Sequence, residues 1–168
     1  MTKGAPTKTE MDEFKNYFLT SEKNDELGLN LEEFIILFFG YSPDQTVNGK
    51  TRFQKLLFLL NDKFKIFTNL DYFRYYYGPY SYILENAVMN LIINNYIYEE
   101  IIYFDDNKSR YQINRRLSEK GIEKFNELKN KNENQKFKEI FNFLIENYYY
   151  EMELRDLLKI VYAKAGYS

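Results

Sequence analysis

The stretch YYYGPYS, Tyr75 to Ser81, leaves the backbone that carries it few choices. Pro79 has no backbone donor and a fixed φ, and Gly78 tolerates angles other residues avoid, so no regular element is expected to run through the pair. The preceding DYFRYYY (71–77) is aromatic-rich and predicts a short strand. Ser81 is a good N-cap for YILENAVMNLIINN, in which Ile83, Leu84, Ala87, Val88, Leu91 and Ile92 recur at helical spacing. The stretch therefore reads as a strand-to-helix corner. Tyr75 and Tyr77 share one strand face and Tyr76 the other, while Tyr80 and Tyr82 sit at the helix mouth. Tyr82, Asn86, Asn90 and Asn94 line the helix's other face.

Helical patterns flank the corner on both sides. Residues 10–20 predict a short helix with Met11, Phe14, Phe18 and Leu19 on one side. Asn30 caps LEEFIILFFG, with Gly40 past the helix end, and SPDQTVNG is a loop by composition. In TRFQKLLFLLNDKF, Phe53, Leu56, Leu57, Leu60 and Phe64 form one apolar stripe, with Arg52, Lys55 and Lys63 on other faces. Gly49-Lys50-Thr51 is not a phosphate loop, because Asp44 stands where that motif needs a glycine. YIYEEIIYF and SRYQINR predict a hairpin around DDNK, whose Asn tolerates positive φ. Ser118 caps LSEKGIEKFNELKNK, where Ile122, Phe125 and Leu128 face inward. Two amphipathic helices close the chain, one with Phe137, Ile140, Phe141, Leu144 and Tyr148, the other with Leu154, Leu157, Leu158, Val161 and Tyr162.

The order predicts a mostly helical α+β domain. A helix-turn-helix followed at once by a hairpin is the layout of a winged helix, the hairpin being the wing. On this reading residues 1–9 are a flexible leader, 10–47 N-terminal helices, 48–130 the winged-helix core and 131–168 a helical extension, all in one unit. FQKLLFLL (53–60), YYYGPYS, LIINNYI (91–97) and YQINRRLSEKG (111–121) resemble, in that order, a loose winged-helix family of YwgA-like and Panacea-type proteins. LLKIVYAKAGYS resembles their closing stretch, with Ala165 where a Pro is typical and Ser118 where a Thr is. The resemblance spans about residues 48–168. It implies the winged-helix fold and a link to regulation or toxin–antitoxin neutralisation.

Composition narrows the function classes. The chain has 168 residues and contains neither His nor Cys, which removes the usual general base, thiolate chemistry and the commonest metal ligands. Acid pairs Glu32/Glu33, Glu99/Glu100 and Asp105/Asp106 join no His, Cys or glycine-rich loop, so no enzyme, cofactor or metal is expected. No apolar run is long enough to span a bilayer and no signal-peptide core is visible, which agrees with a cytoplasmic location.

Charge splits unevenly: residues 48–80 carry six cations against two acids, 81–107 none against five, and 108–124 six against two. Duplex DNA binding, with transcriptional regulation, is the commonest role of the expected fold. Its candidate contacts are Lys50, Arg52, Lys55, Tyr80, Ser81, Tyr82, Asn86, Asn90, Lys108, Arg110, Arg115 and Arg116. Against it, the helix meant for the groove brings only acids. The alternative is a protein-interaction module, an antitoxin-like neutraliser or adaptor, using the acidic, asparagine- and tyrosine-rich face. Most of the 17 tyrosines are expected to fill the core of this Trp-free chain. The C-terminal helices are the expected homodimer elements in either case.

Overall fold

The computed structural model describes residues 27–131 and 135–167; the predicted leader and the helix expected over residues 10–20 lie outside them. Six helices and two small antiparallel sheets follow in the order α1 (Leu31–Tyr41), β1 (Thr46–Asn48), α2 (Lys50–Phe64), β2 (Phe73–Tyr75), β3 (Gly78–Tyr80), α3 (Tyr82–Ile93), β4 (Ile97–Tyr103), β5 (Tyr111–Leu117), α4 (Glu119–Lys131), α5 (Gln135–Glu146) and α6 (Leu154–Ala165). This is a mostly helical α+β architecture. Among the described residues no helix is long and apolar enough to cross a membrane.

α1 is the centre of the molecule. Asn30 Oδ1 accepts from the Glu33 amide at 2.9 Å while Glu33 Oε1 accepts from the Asn30 amide at 3.1 Å, a reciprocal cap. Leu31, Phe34, Ile35, Ile36, Leu37, Phe38 and Phe39 are all buried, and a helix apolar on every side must be enclosed on every side. The sequence places Gly40 past the helix end, but the helix runs on to Tyr41. A Cβ on Gly40 would lie 2.1 Å from the Phe125 ring, so this glycine marks the close approach of α4 rather than a terminus.

The segment read as loop contains β1. It pairs antiparallel with β5 (Val47 opposite Arg115), and β5 pairs with β4, giving the sheet order β1–β5–β4. The boundary expected between residues 47 and 48 falls within β1. The hairpin is as predicted except at its tip, where Lys108 rather than Asn107 takes the positive φ of 54°.

The expected strand over 71–77 is instead a hairpin: β2 ends at Tyr75, the chain turns at Tyr76-Tyr77, and Phe73 faces Tyr80. Pro79 does not end the strand but sits buried within β3.

The interior is built on phenylalanine. Eight Phe and no Tyr are buried among the described residues, so tyrosine fills the core less than its abundance suggests. Phe38 and Phe53 meet edge to face at 5.7 Å, and Phe34 stacks on Phe141 at 5.6 Å. Each buried phenylalanine contributes about 2 kcal/mol over an exposed one. In the second tyrosine run, Tyr148 is exposed while Tyr150 packs on Phe38 at 5.4 Å. The C-terminal helices turn Phe137, Ile140, Phe141, Leu144, Leu157 and Val161 into this core, so their stripes serve the fold of one chain.

Candidate functional site

α3 and the hairpin beside it form the most distinctive surface, and long-range contacts fix where α3 starts. Gln54, on α2, grips the backbone of Ser81: its Nε2 donates to the Ser81 carbonyl at 3.0 Å and its Oε1 accepts from the Ser81 amide at 2.9 Å. The next residue, Lys55, donates from Nζ to the Pro79 carbonyl at 2.7 Å. Ser81 Oγ donates to the Leu70 carbonyl and accepts from the Leu84 amide at 3.1 Å, capping α3. Gly78, at φ 98°, leaves room for Tyr162 of α6, whose ring a Cβ there would approach to 2.6 Å. The separate stretches FQKLLFLL, YYYGPYS and LLKIVYAKAGYS thus meet at one corner.

Two expected phosphate contacts are consumed in this corner. Lys55 and Ser81 are buried, and burial pulls the Lys55 ammonium down to about 8. Arg115 is a third. Only 1% exposed, it is bidentate on Glu85 of α3 (2.6 and 3.0 Å) and lies 3.3 Å from Glu99 of β4. Burial alone would depress its pKa, but hydrogen bonds and charge from Glu85, with Glu99 behind, outweigh that and raise it. A side chain expected to face DNA instead pins α3 to the sheet.

The remaining candidates divide. Arg52 is half-buried, donates to the Tyr149 carbonyl at 3.3 Å, and is lowered in pKa by burial. Arg116 donates to Thr46 Oγ1 at 2.8 Å. Asn90 turns to Glu32 at 3.4 Å; burial raises the Glu32 pKa although this hydrogen bond opposes it. Lys50 is exposed but lies 3.6 Å from Glu99. At the hairpin tip Lys108 lies over the Tyr103 ring at 5.4 Å, and Arg110 is 3.7 Å from Asp105. Ser109 and then Arg110 hydrogen-bond Asp105 and hold its carboxyl below the usual range. Asn86 and Tyr82 are exposed as expected, and Tyr80 is half-buried, its hydroxyl pKa raised by burial and by Glu85.

The surface around these cations is aromatic and aliphatic. Tyr82, 57% exposed, stacks on Phe73 at 5.1 Å, and Phe73, Tyr75 and Tyr80 continue the cluster. Met89 and Ile93 follow Tyr82 along the exposed side of α3. Across the ladder Ile101 faces Ile113 and Tyr103 faces Tyr111, on the same sheet face as Arg115. Ile101 is 50% and Tyr111 59% exposed. Tyr80 and Tyr82 are among the contacts expected from the sequence, whereas Met89, Ile93, Ile101, Tyr103 and Tyr111 are not. The available signal was strand parity: once Ile97 and Leu117 fill the core, Ile101, Tyr103 and Tyr111 share their face but lie beyond it. No protein-family model, no curated protein and no solved structure matches this chain.

Proposed function

We propose that the chain is a winged-helix module that binds a protein partner, an antitoxin-like neutraliser or adaptor, through α3 and the β4–β5 hairpin. The winged-helix reading draws on the order helix, strand, helix, short hairpin, helix, hairpin and on the sheet order β1–β5–β4, with the second hairpin as wing. One observation carries the choice of partner. Cations that would meet phosphate are spent internally, Arg115 on Glu85 and Glu99 and Lys55 on the Pro79 carbonyl, while the surface beside them presents Tyr82, Ile93, Ile101, Tyr103 and Tyr111. Duplex affinity comes mainly from neutralised phosphates, whereas exposed tyrosine and aliphatic area with few cations suits a protein interface. The regulator reading would rest on Lys108 and Arg110, which stand beside Asp105 and Asp106.

A photocrosslinker placed at Ile93 or Tyr111, in cells that make the chain, tests this. One protein of defined mass should be trapped, and Tyr82→Ala should abolish trapping without changing the melting curve. Trapping of nucleic acid, or of no discrete protein, would overturn the reading.

A further inference from the structure

β4 is an edge strand, and its hydrogen-bonding pattern shows which groups it offers. The Phe104 amide donates to the Arg110 carbonyl at 3.0 Å, and the Ser118 amide to the Tyr96 carbonyl at 3.0 Å. With Ile97 opposite Leu117 and Tyr103 opposite Tyr111, hydrogen-bonded pairs alternate, so residues 96, 98, 100, 102 and 104 bond inward to β5. The amides and carbonyls of Ile97, Glu99, Ile101 and Tyr103 therefore point away from the sheet. No strand among the described residues pairs with that edge, since β1 lies on the other side of β5. Ile97 is buried, which leaves Glu99 to Tyr103 as the accessible length. Proteins usually protect an edge of this kind with lysine, proline or a bulge, and IYEEIIY has none of the first two and pairs in unbroken register.

The two faces flanking this edge differ in chemistry. On one side Ile101 and Tyr103 are exposed and continue the apolar surface of α3. On the other, between the exposed rings of Tyr98 and Phe104, stands Glu100, exposed and without an ion pair among the described residues, with the exposed Asp106 at the tip. Of the five carboxylates in residues 81–107, Glu85 and Glu99 are matched by Arg115 and Asp105 by Arg110, which leaves Glu100 and Asp106 without an ion pair among the described residues. A second copy would bring the same acids to the same edge, so the charge favours a cationic occupant.

We infer that β4 accepts an extended segment of a partner protein as an added strand, with apolar and basic residues alternating. Apolar side chains lie beside Ile101 and Tyr103, and Lys or Arg beside Glu100. The inference rests on the protein-partner reading and names the chemistry of that partner. Main-chain bonds to Glu99, Ile101 and Tyr103 supply affinity, and the alternating faces supply selectivity.

The probe is a capped octapeptide alternating valine and lysine, titrated by fluorescence anisotropy. It should bind saturably below about 1 mM and protect the Ile101 and Tyr103 amides from hydrogen exchange. N-methylating one alternate set of its amides should weaken binding by about tenfold or more, and methylating the other set should not, because only one set faces β4. Ile101→Pro removes an outward amide without touching the β4–β5 ladder, and should cost a similar factor at an unchanged melting temperature. Glu100→Lys should also weaken binding. Absence of saturable binding, or equal effects of the two methylations, overturns the inference. A dimer that Ile101→Pro converts to monomer overturns it too, by making the second copy the occupant. Trapping of nucleic acid by the photocrosslinker would instead remove the protein-partner reading on which it rests.

Discussion

Arg115 and Arg110 are five residues apart on one hairpin, and they do opposite work. At the base Arg115 is enclosed, bidentate on Glu85 and close to Glu99, and its charge is spent holding α3 on the sheet. At the tip Arg110 is exposed and pairs only with Asp105 of the same turn among the described residues. The same division runs through the whole surface. Gln54, Lys55, Ser81 and Tyr162 at the base converge on backbone and glycine, whereas Ile101, Tyr103 and Tyr111 further out touch little of their own chain. Polar residues near the core fix α3 in place, and apolar residues away from it are left exposed. A basic residue in the sequence of such a domain is therefore poor evidence of a phosphate until its neighbours are known.

The sharpest way to break the base is Gly78→Val. It places a β-branched residue at φ 98° and drives a Cβ to within 2.6 Å of the Tyr162 ring, and should cost about 4 kcal/mol in urea unfolding. Arg115→Met should follow at about 3 kcal/mol, because Glu85 and Glu99 would be left facing each other without their cation. Gln54→Ala should cost about 2 kcal/mol by leaving the Ser81 amide unpaired in a buried corner, while the Ser81 carbonyl keeps the Glu85 amide.

Lys55 offers a subtler handle. The unfolded chain keeps that proton to about 10.5 and the folded chain only to about 8, so unfolding takes up a proton between these values. Stability should therefore rise with pH from about 8, by about 1 kcal/mol per pH unit, until tyrosine ionisation in the unfolded chain intervenes near 10. Lys55→Met should flatten that rise, measured by denaturant midpoints at pH 8 and 9. At the tip, Arg110→Glu should leave the melting temperature unchanged, since this exposed side chain holds no buried group.

Much of this domain is legible in the sequence because much of it is local. The apolar stripe of α2, the Ser81 cap of α3 and the hairpin around residues 104–110 each follow from spacing within one element. The corner's interior is not local. Gln54 reaches 27 positions to Ser81, Lys55 reaches 24 to Pro79 and Arg115 reaches 30 to Glu85, so spacing within one element does not show these contacts. β1 was hidden for another reason: three residues are too few to show alternation, and their pairing is set by β5, some 70 positions on. The candidate site was half visible. Tyr80, Tyr82 and Asn86 lie where the corner predicts them, whereas Ile101 and Tyr103 could be told from core residues only by knowing where the core stops.

The division between a consumed base and an open tip is tested most directly with DNA itself. A fluorescent duplex titrated with the chain at about 50 mM salt, where phosphate contacts are strong, should show no saturable binding up to about 10 µM protein. Binding that weakens steeply with added salt and disappears in Arg110→Glu would contradict the account, because the cations at the tip would then suffice to hold the phosphates.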